Sequence, residues 1–388
     1  MSSVSPATAV SRWWLRWPVL LLAITLASCA RSNALTAEPA LADTEPAAQV
    51  PTATSRPTQA PTPTATRSAY DGFLQRPPEA QLRVMTYNVH WDSIFPADDP
   101  LSHDLREFDR QGAFARILRA VQPDILCLQE INQRRLEDDL ASFLTHVSTG
   151  QQSWQAVHVR DTLIASPFRL VEQDYQLQTR TILPILDQAA ALIDLPDEVF
   201  GPTDLYMVCA HFKSGGTYGD VLLRVRQADA IMAHLRDSAS GQGGSDLAVG
   251  TPYLVLGDFN IYDTDPARQR ITLLQGDIHD EGGYGPDWSP DWDGTALTDA
   301  LPTHNDLGDD RYTWRADASP LNPGVLDRIF YTDSVLQVEN AFVFNTALMT
   351  EAALARHSLQ WDDVMLVASA GYFDHLPIVA DFSLQPGP

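Results

Sequence analysis

The chain has 388 residues, of which 44% are hydrophobic and 20% charged, so its composition is typical of a folded protein and excludes a wholly disordered one. Acidic residues outnumber basic ones by 50 to 26, which gives a formal net charge of −24. Such a surface disfavours non-specific binding of long nucleic acids, whose affinity comes mainly from Lys and Arg on phosphates. Solubility is the simpler explanation of the acidity.

The first 28 residues have the pattern of an export signal. Two arginines precede a short apolar stretch, residues 18–27, which is too short to span a bilayer comfortably. Leu26-Ala27-Ser28-Cys29 then resembles the lipobox of bacterial lipoproteins. We therefore predict that residues 1–28 are removed and that Cys29 carries lipid, which would leave the protein exported and anchored to the outer face of the cell membrane. Cleavage elsewhere and an uncleaved signal anchor are the alternatives.

A low-complexity segment follows over residues 29–78, rich in Pro, Thr and Ala. It has too little large apolar surface to offset the entropy lost on ordering, so we predict a disordered tether. Residues 79–388 contain no stretch that reads as a linker. We therefore predict one folded domain over residues 79–388.

From Leu82 onwards, apolar runs alternate with amphipathic segments, which predicts the α/β class. Strands are predicted over residues 82–85, 125–128, 205–210, 253–256 and 377–382. Asp109 and Asp220 are predicted to cap two helices whose apolar residues recur at helical spacing, and Pro123 stops the first of them. Residues 276–324 are rich in Gly, Asp, Pro and Trp, and we predict long loops there with short elements.

Two of the three cysteines, Cys127 and Cys209, lie inside apolar strands. A free cysteine in a strand behaves as a small hydrophobic residue, and we favour that interpretation for both. A disulfide between them is the alternative, because the sequence alone does not give their separation.

Five short polar motifs occur in order along the chain, most of them directly after an apolar run. They are Tyr87-Asn88, Gln129-Glu130, His211-Phe212-Lys213-Ser214, Gly257-Asp258-Phe259-Asn260 and Asp374-His375. The third holds the only lysine of the chain. Strand ends that bring carboxylate and amide oxygens together with histidine suit a divalent cation and proton transfer.

This ordered set resembles the endonuclease/exonuclease/phosphatase superfamily, the metal-dependent phosphodiesterases that include deoxyribonuclease I, abasic-site endonucleases, neutral sphingomyelinases and inositol-polyphosphate 5-phosphatases. The resemblance covers residues 82–383. It implies a four-layer α/β sandwich, with two mixed β-sheets face to face and flanked by helices. It also implies that residues 79–388 are a catalytic domain whose site lies in a cleft at one end of the sandwich.

The resemblance implies a sparse metal site. Glu130 matches the main metal carboxylate of the family, Asn88 lies near the metal and the phosphate, and Asp374 is a third residue close to the metal. The implied cofactor is Mg²⁺, with Mn²⁺ or Ca²⁺ as alternatives. A hard cation of this kind keeps several waters and takes only one or two protein carboxylates.

The resemblance also implies the catalytic residues. His375 matches the histidine that activates water, and Asp327 matches the aspartate that fixes its tautomer. Asp258 would assist this pair, while His211 and Asn260 would hold the oxygens of the phosphoryl group.

Two basic residues are candidates for contacts with the substrate phosphate. Lys213 follows His211 by the strand period of two and therefore lies on the same side of an extended chain. Relatives often carry an arginine where this chain has Leu163-Ile164-Ala165-Ser166-Pro167, and Arg180 is a candidate to replace it. Relatives also usually have Ser before Asp-His, where this chain has Phe373.

The implied activity is divalent-metal-dependent hydrolysis of a phosphoester outside the cytoplasmic membrane, by a monomer. The substrate stays open among nucleic acid, a phospholipid headgroup and a small phosphorylated molecule. A hypothesis from another class is a non-catalytic ligand-binding lipoprotein that keeps the fold. Turnover that a chelator abolishes would separate the enzyme from the binding protein.

Overall fold

The computed structural model describes residues 71–95, 109–132, 136–148, 153–171, 188–241, 247–261, 275–315, 323–366 and 374–385. The predicted signal peptide with Cys29, most of the predicted tether, Arg180 and Phe373 lie outside these residues. No helix in the described ranges combines the length and the apolar character needed to cross a bilayer.

Two mixed β-sheets form the body of the domain. In spatial order, the first sheet contains β10 (Thr303–His304), β13 (Leu336–Val343), β15 (Ile378–Leu384), β1 (Leu82–Asn88), β2 (Ile125–Gln129), β4 (Thr162–Ser166) and β3 (Gln155–Val159). The second contains β5 (Arg169–Val171), β6 (Ala189–Asp194), β7 (Leu205–His211), β8 (Tyr253–Asp258), β12 (Asp327–Tyr331) and β9 (Thr298–Asp299). A short antiparallel pair joins β11 (Trp314–Arg315) to β14 (Asp374–His375).

The predicted strands are all present, and the first four extend into the polar motifs that follow them. β1 pairs in parallel with β2 and antiparallel with β15, while β7 pairs in parallel with β8 and antiparallel with β6. The carboxyl ends of β1 and β2 therefore meet at one edge of the first sheet, and those of β7 and β8 meet at one edge of the second.

Helices follow the strands as the sequence predicts. They are α1 (Arg110–Val121), α2 (Leu136–Val147), α3 (Asp197–Phe200), α4 (Tyr218–Ala239), α5 (Glu281–Tyr284) and α6 (Glu351–Arg356). Asp109 caps α1 as predicted, since its side chain accepts a hydrogen bond from the Gly112 amide. The prediction that Asp220 caps α4 was wrong. The cap is Thr217, and Asp220 is its partner in a capping box that satisfies two backbone amides instead of one.

Apolar side chains alternate between the two faces of each sheet, as the strand period of two requires. In β1, Val84 faces the second sheet, whereas Met85 belongs to the core beneath α1 and α2. In β8, Leu254 faces the first sheet and Val255 packs with the buried side of α4. The layers are therefore helix, sheet, sheet and helix, and the predicted four-layer α/β sandwich is confirmed.

A disulfide joins the two sheets. Cys127 on β2 and Cys209 on β7 are fully buried, and their Cα atoms lie 5.4 Å apart. The expectation that these cysteines are unpaired was wrong. The two strands face each other directly across the interior, and a sequence separation of 82 residues gives no sign of that proximity.

The folded domain begins before its predicted boundary. Gly72–Leu74 form a 3-10 helix, and Phe73 and Leu74 are buried in the core outside the first sheet. Asp71 forms an ion pair of 2.8 Å with Arg356 on α6. The assignment of residues 71–78 to a disordered tether is therefore corrected, because two large apolar side chains give this short segment enough surface to bury.

Strand β15 lies in the interior of the first sheet, between β13 and β1. Arg83 on β1 and Asp381 on β15 form a buried two-pronged ion pair with distances of 2.6 and 2.7 Å. The same guanidinium donates to the carbonyls of Leu74 and Val121, so it also holds the 3-10 helix and the end of α1. All of its charge-bearing nitrogens thus have partners, which a buried guanidinium requires.

Candidate active site

The predicted site residues surround one cleft, at the edge where β1, β2, β7 and β8 end. The cleft has a volume of about 980 Å³. Its lining includes seven of the predicted residues, which are Glu130, His211, Lys213, Asp258, Asn260, Asp374 and His375. Asn88 and Asp327 are buried, and each contacts a residue of that lining.

His375 and Asp327 are in direct contact. The imidazole Nδ1 lies 2.8 Å from Asp327 Oδ2, and both side chains are buried. The Asp327 amide donates to Thr313 Oγ1 at 2.8 Å, which fixes the start of β12. Because the carboxylate engages Nδ1, the other ring nitrogen, Nε2, is directed towards Asp258 Oδ2 at 3.6 Å.

His211 at the end of β7 repeats this arrangement from the second sheet. Its Nδ1 lies 2.7 Å from Asp161 Oδ2, and its Nε2 lies 3.6 Å from Asp258 Oδ2. Two imidazoles therefore converge on one carboxylate oxygen. Asp161 was not predicted as a site residue, because it lies in the turn between β3 and β4 and no motif singles it out.

Asp258 is the buried centre of this group. Its Oδ2 accepts hydrogen bonds from Asn88 Nδ2 at 3.1 Å and from Asn260 Nδ2 at 3.0 Å, and its Oδ1 accepts from the Asn260 amide at 2.8 Å. Asn260 has a φ of 51°, a left-handed conformation that folds the chain back over the aspartate. Burial raises the pKa of Asp258 to about 6, against the opposing effect of the neighbouring His375 charge.

Carboxylates govern the charge of both histidines. Burial acts to lower the pKa of His211, but the hydrogen bond and the charge of Asp161 outweigh it and raise the pKa to about 9. Burial also opposes charge on His375, yet Asp327 and Asp258 together hold its pKa well above 6.5. The neighbouring carboxylates therefore favour the cationic form of both imidazoles in the protein without a bound cation.

Glu130 lies directly after β2 with a φ of 63°. Its Oε1 accepts a hydrogen bond from Asn88 Nδ2 at 3.1 Å, and its Oε2 accepts one from the Trp91 amide at 2.9 Å. The amide oxygen of Asn88 in turn accepts from the His90 backbone at 3.1 Å. The nitrogen of the Asn88 side chain thus links Glu130 to Asp258, so Asn88 positions two carboxylates and presents no oxygen to them.

Asp374 takes part in a third pair, with His90. Its Oδ2 lies 2.7 Å from His90 Nδ1, and its Oδ1 accepts from Trp314 Nε1 at 3.1 Å. Burial acts to raise the pKa of Asp374, but the bond from His90 and the charge of His375 bring it below its ordinary value. His90 was not predicted. Its spacing of two from Asn88 is a sequence signal that could have pointed to it.

The donor set fits a hard divalent cation. Asp258, Asp327 and His375 present ligand atoms within 4.8 Å of one another, and Glu130 adds a further carboxylate through its link with Asn88. Within the described part of the chain, the buried Asp327 Oδ1 accepts no hydrogen bond. Carboxylate oxygens of this kind are the ligands that Mg²⁺, Mn²⁺ and Ca²⁺ take in proteins.

Lys213 lies on the wall of the cleft, in the loop between β7 and α4. Its Nζ donates to the Ser214 carbonyl at 2.8 Å and lies 3.7 Å from Asp220 Oδ1. The buried guanidinium of Arg224 donates to the carbonyls of Lys213 and Gly215 at 2.6 and 2.9 Å. Arg224 therefore shapes the loop, while the Lys213 ammonium remains at the cleft surface.

The family profile described as "Endonuclease/Exonuclease/phosphatase family" matches residues 85–348. No curated protein sequence matches the chain significantly. Among solved structures, ANGEL2, a 2′,3′-cyclic phosphatase in complex with adenosine-2′,3′-vanadate, has 15% identity and a TM-score of 0.50, with 80% of this chain and 99% of that chain covered. The human Nocturnin catalytic domain with bound sulfate has 18% identity and a TM-score of 0.49, covering 80% and 97%. A protein described as the endonuclease/exonuclease/phosphatase from Bacteroides vulgatus has 16% identity and a TM-score of 0.49, covering 78% and 99%.

Proposed function

The chain belongs to the endonuclease/exonuclease/phosphatase family of phosphoester hydrolases, and we propose that it hydrolyses its phosphoester with the help of a divalent cation. The observation that carries this proposal is the convergence of His211 Nε2 and His375 Nε2 on Asp258 Oδ2, each 3.6 Å away. The Glu130 carboxylate lies on the other side of Asn88. The cleft thus combines groups that move protons with groups that bind a cation.

The His375–Asp327 pair prepares the water. Asp327 holds the proton on Nδ1, so Nε2 is the atom that accepts a proton from water as the water oxygen attacks phosphorus. The bond from phosphorus to the leaving oxygen breaks as the new bond forms. Asp258, placed against Nε2, orients the water and stabilises the charge that develops on the imidazole.

His211 suits the opposite role. With a pKa of about 9 it carries a positive charge at neutral pH, and its Nε2 proton can be donated to a non-bridging phosphoryl oxygen. The hydrogen bonds of Asn260 are already taken up within the protein, because its side-chain nitrogen donates to the Phe212 carbonyl and to Asp258. Asn260 therefore holds Asp258 in place, and a phosphoryl oxygen would compete for the same hydrogens.

Glu130 would hold the cation, with the oxygens of Asp258 and Asp327 as neighbouring ligands. When bound, the cation would neutralise charge on the phosphoryl oxygens, and its positive charge beside Asp258 and Asp327 would favour the basic form of His375. We propose Mg²⁺ for this position, with Mn²⁺ or Ca²⁺ as alternatives.

We also propose that the enzyme acts outside the cytoplasmic membrane, anchored through Cys29. The Cys127–Cys209 disulfide supports export, since such bonds persist in oxidising compartments. The lipobox pattern at Leu26-Ala27-Ser28-Cys29 supports the lipid anchor. In the variant Cys29→Ser, the protein should leave the membrane fraction for the medium. Unchanged fractionation would show that something other than this cysteine holds it.

The proposed hydrolysis is tested with purified protein on DNA, RNA, sphingomyelin, inositol phosphates and a chromogenic diester, each with Mg²⁺, Mn²⁺ or Ca²⁺ and with a chelator. We expect turnover of at least one substrate, lost with the chelator. Glu130→Gln should lose most of the cation affinity measured by calorimetry, whereas Glu198→Gln, an exposed residue outside the cleft lining, should retain it. Ligand binding without turnover would favour the non-catalytic lipoprotein instead.

A further inference from the structure

The turn after β1 has an uncommon backbone. His90, Trp91 and Asp92 are consecutive, none is glycine, and their φ angles are 57°, 48° and 58°. A single residue other than glycine is uncommon in the left-handed region, and a run of three is strongly disfavoured unless its surroundings hold it. Such strain at a site is a reason to look for a function in the turn.

Residues of the candidate active site hold this turn through its backbone amides. The His90 amide donates to Asn88 Oδ1 at 3.1 Å, the Trp91 amide donates to Glu130 Oε2 at 2.9 Å, and the Asp92 amide donates to the Glu130 carbonyl at 2.9 Å. The buried Asp92 carboxylate then accepts from the Asn132 amide at 2.7 Å. The turn is therefore fixed to the carboxylate proposed to hold the cation.

The result is an indole on the wall of the cleft. Trp91 is 45% exposed, although it is one of the largest apolar side chains. Among the exposed large apolar residues in the described ranges, Trp91 alone belongs to the cleft lining. Burial in the core therefore does not explain this side chain, and its backbone amide lies 2.9 Å from the carboxylate beside which a phosphate would bind.

We propose that Trp91 is a stacking surface for a nucleobase adjacent to the scissile phosphate, so that the substrate is a nucleoside phosphoester. The proposal rests on the proposed function for the position of the phosphate. An exposed indole offers a flat face on which any base can stack, and loss of such a face typically weakens binding roughly tenfold.

A choline headgroup is the competing occupant, because quaternary ammonium groups also bind indoles. The lining carries the carboxylates Glu130, Asp161, Asp258 and Asp374 as well as Arg160 and Lys213. The three aspartates contact His90 or His211, and Glu130 is assigned to the cation. This leaves Arg160 and Lys213 to attract the phosphates that flank a nucleoside. The volume of about 980 Å³ also exceeds the need of a single small headgroup. These features favour the nucleoside.

The test compares two diesters with the same leaving group, the nitrophenyl ester of thymidine monophosphate and nitrophenyl phosphorylcholine, in the full chain with Mg²⁺. We expect Trp91→Ala to lower kcat/KM roughly tenfold for the thymidine ester and less than twofold for the choline ester. Trp91→Phe should restore most of the loss. Trp361→Ala is the matched control, since Trp361 is 41% exposed and lies outside the cleft lining.

Each remaining outcome decides the proposal. Equal losses for both esters, not restored by Phe, would show that Trp91 only maintains the turn, and a larger loss for the choline ester would assign the indole to a headgroup. Quenching of tryptophan fluorescence by thymidine monophosphate measures stacking on Trp91 independently of phosphoester hydrolysis. Quenching that Trp91→Ala removes, without any turnover, would overturn the proposed function and keep the stacking. Turnover of both esters, with no quenching and no preference for the thymidine ester, would keep the proposed function and overturn the stacking. Thermal unfolding of each variant confirms that it is folded.

Discussion

Histidine side chains in the cleft share one arrangement, in which Nδ1 contacts an aspartate and Nε2 is left for other partners. The pairs are His90–Asp374 at 2.7 Å, His211–Asp161 at 2.7 Å and His375–Asp327 at 2.8 Å. A carboxylate on Nδ1 fixes the tautomer and the ring orientation of an imidazole. The neighbouring carboxylates thus leave Nε2 of each ring as the atom that can accept a proton from a substrate or donate one to it.

The first residue-scale prediction concerns the His375–Asp327 pair. His375→Ala removes the group that accepts the proton of water and should lower kcat at least roughly a hundredfold. Asp327→Asn should lose a large part of the same factor, and the double variant should be little worse than the worse single one, because the two residues act as one unit. His357→Ala, which alters a His–Asp contact outside the cleft lining, is the control. Independent, multiplying losses in the double variant would refute the pair.

The second concerns His211 in the cation-free protein. NMR titration should give a pKa of about 9, and Asp161→Asn should move it down towards the ordinary 6.5, because the carboxylate is lost. A raised pKa in the folded state contributes stability that is fully present below about pH 6.5 and is lost as the pH rises through 9. The advantage of the wild type over Asp161→Asn in urea unfolding should therefore shrink over that range. A constant advantage from pH 6 to 10 would contradict the assignment.

At the scale of elements, strand ends place the site, and this much could be predicted from the sequence. Runs of buried residues that stop at Asn88, Glu130, His211 and Asp258 indicate both the strands and the polar edge. The sequence signal is strong at these positions because a strand buried on both faces needs an uninterrupted apolar run, whereas the end of the strand can carry polar residues.

Contacts between distant elements could not be predicted in the same way. Asp161 reaches His211 only because the turn between β3 and β4 lies over β7, and His90 reaches Asp374 only through a left-handed turn. The Cys127–Cys209 bond depends on how the two sheets face each other. None of these pairings leaves a periodic pattern in the sequence. The burial of one face of a helix or strand does, because apolar residues then recur at the period of that element.

The disulfide supplies an element-scale prediction, because it links β2 with β7. The double variant Cys127→Ala/Cys209→Ala should lose about 2–5 kcal/mol of unfolding free energy, as expected for a bond that closes a long loop. Urea unfolding should measure the loss, and wild-type protein unfolded with reductant present should match the variant. Identical unfolding of the wild type with and without reductant would show that the bond does not form in solution.

On the scale of the whole molecule, the folded domain includes residues well before β1, since Phe73 and Leu74 are part of the core. Of the region preceding β1, residues 71–78 therefore contribute to stability. The acidic composition, with a net charge of −24 and one lysine, belongs to the molecule as a whole.

This boundary predicts the behaviour of two shortened proteins. A protein that begins at Asp71 should fold and hydrolyse substrate as well as the full chain. One that begins at Glu79 should lose about 3–5 kcal/mol of unfolding free energy, because the buried side chains of Phe73 and Leu74 are removed. Thermal or urea unfolding measures the difference. Equal stability of the two proteins would show that the 3-10 helix does not matter, and a folded but inactive protein from Asp71 would assign a catalytic role to the preceding residues.

The interior position of β15 has a consequence for the order in which a newly made enzyme becomes active. Arg83 and its partner Asp381 are 298 positions apart, so β1 leaves the ribosome long before β15, one of its two neighbours in the sheet, has been made. His375 on β14 arrives only shortly before β15. We expect nascent chains halted before β14 to show no turnover, whereas activity in such chains would contradict this order. If the chain crosses the membrane unfolded, as the proposed export implies, the hydrolase would therefore be inactive inside the cell and become active only after it has crossed the membrane.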